Sequence, residues 1–383
     1  MHKYQFGDPK YPVSVEYKAI YKTLKSLNKR TFFFDTHDQK DIFLNNVKIL
    51  DIVKKIKPEI IFCHLSSYEI YSETFATIRS ICSPIIVNWC SDDSWRYEQH
   101  SALIAKSFDL MITTYKDANK KNFDNKINSI LSNWGCPDNW FIKPKKISSY
   151  LYDVCFIGNS YMGRKKIIKN LLNLGINIQC FGKGWKNKIS DIDLPKIINR
   201  SRININFSKS RGYKPQTKAR VFEITGAGGF CLTEYSNEVK NFFKENHQIV
   251  IFNNFEELVS KIKYYLKNED EREMICRNGY FRCYNQYSYK KIMQNILKKI
   301  SKIKNKKNFI NSIDSSHYGL YKVRLHWLFH LYKRVTQSIF GLFFFKQYGI
   351  KVSRRFLFEI EWRLRGEKTY SLNGWCNNLF NYH

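Results

Sequence analysis

The sequence predicts an α/β protein of two successive Rossmann-like halves facing a cleft, followed by a mainly helical, basic tail. Three observations carry this. Short apolar runs alternate with helix-length amphipathic stretches, which is the pattern of βαβ units and a parallel sheet. The alternation breaks over residues 139–150, where Pro, Ser and Lys interrupt any apolar period, and then restarts. The net charge of +31 is uneven: residues 275–383 hold 21 Lys/Arg against four Asp/Glu, a net +17.

In chain order, the first half (1–138) offers five strands. They are KYQFGDP, TFFFDTH from Thr31, EIIFCHL from Glu59, PIIVNWCSDD from Pro84 and FDLMITT from Phe108. Each ends at Gly, Asp, His or Thr, and DIFLNNVKILDIVKKI reads as a helix between two of them. Residues 139–150 read as a linker. The second half (151–304) offers YDVCFIG, INIQCFG, RININFS, GGFCLTE and HQIVIFN, then three closing helices from Phe255 onward. Such sheets place ligand groups in the loops after the strands' carboxyl ends, and two halves leave a cleft between them. Residues 305–311 read as a second linker. The tail (305–383) is aromatic-rich, with Tyr321, Leu325, Leu328, Tyr332 and Val335 at helical spacing.

Composition narrows the function. Aromatic content of 16% excludes general disorder. The ten cysteines form no CxxC pairs and most sit inside apolar runs, which predicts buried reduced thiols and a cytoplasmic setting. No His/Cys spacing fits zinc, and no apolar run reaches the ~18 residues of a spanning helix. The charge predicts anionic partners: a nucleotide, an anionic membrane surface or nucleic acid. Nucleic acid is the least favoured, since helix-turn-helix, RNA-recognition and zinc signatures are all missing from the sequence.

Four constellations carry chemistry. In KARVFEITGAGG, Lys218 and Arg220 offer donors for phosphate oxygens, Glu223 offers a carboxylate for vicinal hydroxyls, and Gly226, Gly228 and Gly229 permit close backbone approach. The plainer reading of these glycines is a helix–strand turn. In FIGNSYMGRKK, a strand ends at Gly158 and a helix begins at Arg164, which suits a phosphate. In NWCSDDSWR, Asp92 and Asp93 follow a buried strand; one is expected to cap the following helix and the other to act as a base. Asp8, Asp35, His37 and His64 stand at other strand ends, with His64 a candidate base. Trp134, Gly135 and Cys136 are candidates for the cleft floor. Asp191-Ile192-Asp193 spells DxD but reads as a helix cap.

Residues 152–287 resemble the CgeB-type (spore-maturation-protein-like) glycosyltransferases of the GT-B fold. The likeness rests on Gly158, the K-x-R-x-F-E run Lys218 to Glu223, Gly228, Thr233-Glu234, Glu256-Glu257-Leu258 and Gly279-Tyr280. In the first half it rests on W-x-S-D-D-x-W-R, from Trp89 to Arg96. The resemblance implies a nucleotide-sugar donor held by the second half. Related enzymes carry a Glu-x7-Glu motif whose second Glu binds the donor ribose. Glu223 matches that position, while Pro215 stands where the first Glu would be.

The resulting expectation is a metal-independent glycosyltransferase with no cofactor. It would move sugar from a nucleotide-sugar to a hydroxyl of a cell-surface glycan, lipid-linked or protein acceptor. Asp92, Asp93 and His64 are the catalytic candidates. Gly158, Arg164, Lys218, Arg220, Glu223, Gly226, Gly228 and Gly229 are the donor-binding candidates. Two rivals are a non-catalytic nucleotide- or glycan-binding protein and a nucleic-acid-binding protein. The basic tail is expected either to lie peripherally on an anionic membrane at its inner face or to pack on the enzyme.

Overall fold

The computed structural model describes all residues except 29, 40, 145–149, 162, 188, 191, 210–214, 304–319, 321–323 and 381–383. The chain forms two compact units, Met1–Leu131 with Leu297–His383, and Ser132–Ile296.

In the first unit a four-stranded parallel sheet runs in the order β1 (Ile60–Cys63), β2 (Ile85–Cys90), β3 (Leu110–Thr113), β4 (Ser129–Leu131). The Ile42–Ile56 helix starts where Asp41 accepts hydrogen bonds from the amides of Phe43 and Leu44. Its buried residues Ile42, Ile49, Leu50 and Val53 join Phe75, Ile78, Ile86 and Met111 in one core.

The first two expected strands do not form. Gln5–Gly7 is a 3-10 turn ending at Gly7 with φ +73°, and Thr31–Asp35 has no strand assignment. Two bonds join these segments, Thr36 N–H to Met1 O (3.2 Å) and Lys3 N–H to the Asp35 carboxylate (3.3 Å), too few for a ladder. Phe33 instead packs edge-on to Tyr17 at 4.8 Å.

The second unit is a five-stranded parallel sheet in the order β6-β5-β7-β8-β9, with β5 Tyr152–Ile157, β6 Ile178–Phe181, β7 Ser201–Asn206, β8 Cys231–Glu234 and β9 Val250–Phe252. All five were legible in the sequence. Alternate strand residues feed two cores: Cys155 and Ile157 on one face, Val154 and Phe156 on the other. Three helices, Phe255–Lys267, Glu269–Gln286 and Tyr289–Ile300, follow β9 as expected.

The expected linker is not a free spacer. Trp140 is buried in the second unit's core, Phe141 packs on Tyr280 and Tyr284, and Ile142 N–H bonds to Gly226 O. Aromatic side chains override the Pro/Lys composition there. The second expected linker, 305–311, lies outside the described residues.

The tail contains the helices Trp327–Phe344, Lys346–Arg365 and Trp375–Leu379. The first begins later than the apolar spacing suggested, so Leu325 precedes it, and Tyr321 is outside the described residues. Leu357, Phe358, Tyr370, Cys376, Leu379 and Phe380 belong to the first unit's core. The Tyr370 hydroxyl donates to Gln99 O (2.5 Å), and Leu372 N–H to Glu73 (3.0 Å). This end of the chain is structural rather than appended. All ten cysteines are free, eight of them buried. Among the described residues, no helix is long and apolar enough to cross a membrane.

Candidate functional site

The second unit's strand order places a topological switch between β5, which pairs β6 on one side, and β7 on the other. In open parallel sheets, ligands bind at the carboxyl ends of the strands that flank such a point. Arg164, the first residue of the Arg164–Asn173 helix, sits at this point. Its guanidinium donates to Asn159 O (3.1 Å) in the β5 loop and reaches Lys209 O (3.4 Å) in the β7 loop. It lies over the rings of Phe156, Tyr161 and Phe207, 5.5–5.8 Å from their centroids. Burial pulls its pKa below the ordinary arginine value, with Tyr161 and Glu234 opposing.

The β5 loop is held by tight packing. Gly158 N–H bonds to Phe181 O (2.9 Å), and Gly158 O accepts from the Trp185 indole (2.8 Å). A Cβ on Gly182 would lie 2.6 Å from Gly158 O. Glu234, at the end of β8, accepts Ser208 N–H (2.9 Å) and pairs with Lys209 Nζ (3.1 Å). It therefore ties the β7 and β8 ends together. Glu234 was quoted only for the family likeness, and its bracing role depends on a partner 26 residues away.

Lys218 is the N-cap residue of the Ala219–Gly226 helix, directly after the β7 loop. Arg220 and Glu223 face each other one turn apart, joined at 2.7 Å. Glu223 is buried and Arg220 partly so. Lys218, Arg220 and Arg164 thus belong to the same edge of the sheet, with a carboxylate fixed beside them.

The three glycines after Glu223 do not share that edge. The helix runs back against the strands, so Gly226, Gly228 and Gly229 lie just before the start of β8, at the opposite, amino end of the sheet. Their missing side chains are used by the protein itself. A Cβ on Gly226 would collide with Cys136. One on Gly229 would lie 2.6 Å from Ile198, and one on Gly228 (φ +71°) 3.0 Å from Asn199. These positions are packing glycines, which corrects their assignment to donor binding. Cys136 is equally internal: its N–H bonds to Tyr287 O (2.8 Å), so it lines no ligand surface. A small cavity bounded by Tyr150, Arg202, Gly228 and Arg277 also lies at this amino end, away from the cationic edge.

In the first unit, the carboxyl ends of β1, β2 and β3 bring His64, Ser91, Asp92, Asp93 and Thr113 to one edge. Asp93 is buried and fully engaged, accepting from the hydroxyls of Ser101 (2.5 Å) and Thr113 (2.6 Å). Burial raises its pKa, against those two hydrogen bonds. It braces β2 to β3 and is unsuited as a general base, a correction to its candidacy. Asp92 takes the N-cap position, but its side chain accepts no helix amide and it remains partly exposed. Asp92 is the better placed of the pair.

His64 is buried, with Nε2 3.2 Å from Ser91 Oγ and 3.8 Å from Glu16 Oε1. Burial lowers its pKa to about 4, which keeps the imidazole neutral, and burial also raises the pKa of Glu16. Glu16 was missed in the sequence, because it lies in a segment with no strand pattern and meets His64 only through the fold. Of the other candidates, Asp8 is paired with Lys10 on the surface. Asp35 accepts backbone amides from Lys3 and His37. Asp193 bonds to Ser190 and caps no helix amide, while Asp191 lies outside the described residues.

One cluster among the described residues has metal-ligand character. His2, His37 and Glu69 bring a ligand atom each to within 4.8 Å of one another. Glu69 already accepts Ser66 N–H, Ser66 Oγ and Ser67 N–H. Burial pushes its pKa up, but His37, the Ser66 hydroxyl and neighbouring histidines outweigh that and hold it at about 2.

Residues 164–298, about a third of the chain, match the model of a glycosyl transferase-like family. No curated protein matches the chain. Among solved structures, it is similar to Anabaena Alr3699/HepE in complex with UDP and glucose. That pair has 11% identity over 74% of this chain and 89% of the other, with a TM-score of 0.53. It is also similar to a glycosyltransferase from Rickettsia africae ESF-5, at 14% identity over 73% and 87%, with a TM-score of 0.51. At these identities the likeness is one of fold. The architecture of two parallel α/β units with a helical C-terminal region is the GT-B glycosyltransferase fold.

Proposed function

We propose that the protein is a CgeB-type glycosyltransferase that moves a sugar from a nucleoside-diphosphate sugar to an acceptor hydroxyl. The observation that carries this is the cationic edge of the second unit. Arg164 spans the two loops of the switch point, and Lys218 and Arg220 open the next helix beside the fixed carboxylate Glu223. The family match covers the same segment.

In the reaction, the acceptor oxygen bonds to the anomeric carbon as the bond from that carbon to phosphate oxygen breaks. The electron pair of the broken bond leaves on the nucleoside diphosphate. Charge grows on that diphosphate in the transition state, so cations placed there speed the step rather than only tighten binding. Glu223, held by Arg220, would take the ribose hydroxyls. The first unit would serve the acceptor, a glycan, lipid-linked or protein hydroxyl. Its partly exposed Asp92 would take the proton, with the neutral His64 positioning it. With cations supplied by side chains, the reading needs no metal and no cofactor. The setting would be cytoplasmic, where nucleotide sugars are made.

Pro215 in place of the first glutamate of the Glu-x7-Glu motif favours a second reading, a nucleotide- or glycan-binding protein without turnover. One experiment separates them. A panel of nucleotide sugars is screened by thermal shift, and any stabilising donor is incubated with candidate acceptors while free nucleoside diphosphate is measured. A donor that raises Tm and is consumed supports transfer, with Glu223→Ala losing both effects. A donor that raises Tm without consumption supports the second reading. No shift with any nucleotide sugar refutes both transfer and nucleotide binding.

A further inference from the structure

We infer that the Trp327–Phe344 helix and the turn after it form a membrane-docking surface for an anionic bilayer. This is independent of the sugar-transfer reading. The helix packs through one face only. Thr336 bonds to Ser353 of the next helix, Phe340 meets Phe356 at 6.0 Å, and Phe329 meets Trp375 at 5.1 Å. Turned away from that face is a continuous apolar stripe: Leu328, Leu331, Val335, Ile339, Leu342 and Phe343, at i, i+3, i+7, i+11, i+14 and i+15 spacing, all exposed. No residue of this helix is buried.

The stripe ends in an apolar tip. Leu342 is 87% exposed, Phe343 77% and Phe345 79%. Phe345 sits at φ +64°, in the turn between the two helices. Trp327, 63% exposed, stands at the other end of the helix. A bare apolar stripe of this length is costly in water and marks a surface that is covered in use.

Charge decides what covers it. Residues 315–358 hold eight Lys/Arg and no Asp/Glu. Arg334 flanks the stripe, and Lys351 lies on the following helix, both exposed. An amphipathic helix with a wide apolar face, an interfacial Trp and a sequence neighbourhood rich in cations fits the boundary of an anionic leaflet. Among the described residues, no helix crosses a membrane, so this one lies on it.

The test uses the full chain, because the neighbouring helix and C-terminus build the first unit's core and truncation would unfold it. Flotation is measured with phosphatidylcholine vesicles, with and without about one-third phosphatidylglycerol. The wild type is expected to float with the anionic vesicles, and its Trp327 emission to shift to the blue, a change lost in Trp327→Phe. Leu342→Asp with Phe343→Asp should reduce partition at least ~10-fold. Arg334→Glu with Lys351→Glu should remove the preference for anionic over neutral vesicles. Both pairs are at the surface, and circular dichroism is expected to match wild type. The proposal is overturned if the wild type stays with neither vesicle, or if the Asp pair floats like wild type. It is equally overturned if the stripe proves to mediate self-association that the Asp pair disrupts, without vesicle binding.

Discussion

Replacing His64 with Gln should flatten the acid sensitivity of the first unit. His64 is 3% exposed, and burial holds its pKa at about 4 against 6.5 in the unfolded chain. The folded-state value is depressed, so the unfolded chain binds the extra proton between these two values. Stability from keeping this imidazole neutral is therefore complete above pH 6.5 and is lost as pH falls from 6.5 towards 4. At pH 5 the unfolded imidazole lies 1.5 units below its own pKa, which costs about 2 kcal/mol at 1.36 kcal/mol per unit. His100, also 3% exposed and held at about 3, adds a similar loss over the same range. Glu69, held at about 2, loses its contribution only below 4.5, so the windows separate. The assay is urea unfolding of the wild type and His64→Gln between pH 7.5 and 5, with the His64 ring titrated by NMR. The wild type should lose about 2 kcal/mol more than the variant over that interval. An equal loss in both proteins, or an NMR pKa near 6.5, would show that the imidazole is not held neutral and would refute the reasoning.

Other perturbations have equally definite outcomes. Gly226→Ala should lower stability by about 1–3 kcal/mol through the clash with Cys136, measured by denaturant unfolding, with nucleotide affinity unchanged in the folded fraction. Glu361→Ala removes a fully buried carboxylate that accepts the amides of Trp375 and Cys376 at 2.6 and 2.8 Å. It should cost about 2–3 kcal/mol and lower Tm, showing that the C-terminal segment is structural. Arg220→Ala should leave Glu223 buried without its cation and weaken nucleotide binding roughly 10-fold or more by calorimetry. Chelation with EDTA should leave transfer unchanged. A loss restored by one added divalent ion would overturn metal independence and direct attention to His2, His37 and Glu69.

The second unit's five strands were legible because each is buried on both faces and therefore reads as an apolar run of about one strand's length. The cationic edge was legible for a related reason: in a parallel sheet, the residues after each strand share one edge whatever the packing. Arg164 and Lys218 could be placed there from sequence alone. The first half was harder. KYQFGDP and TFFFDTH carry strand-like composition, but strand formation needs a neighbour to complete the ladder, and the fold supplies only two bonds between them.

What sequence determined, then, was the local periodicity, and with it the second unit's sheet, the strands β1 to β3 of the first, and the sign of charge at their ends; the short β4 was not among the expected strands. Tertiary structure decided the rest, because it depends on which distant residues meet. A glycine that admits a ligand and a glycine that admits Cys136 look alike in one dimension. Asp92 and Asp93 are neighbours in sequence, yet Ser101 and Thr113 consume one and leave the other partly exposed. Glu16 and His64 are 48 positions apart and meet only in the fold, where burial lowers the pKa of the imidazole and raises that of the carboxyl. The C-terminal segment, whose cations dominate its composition, left both a membrane contact and packing on the enzyme open. Its buried Leu357, Phe358 and Tyr370 make it part of a core, while the Trp327–Phe344 helix keeps an exposed apolar stripe.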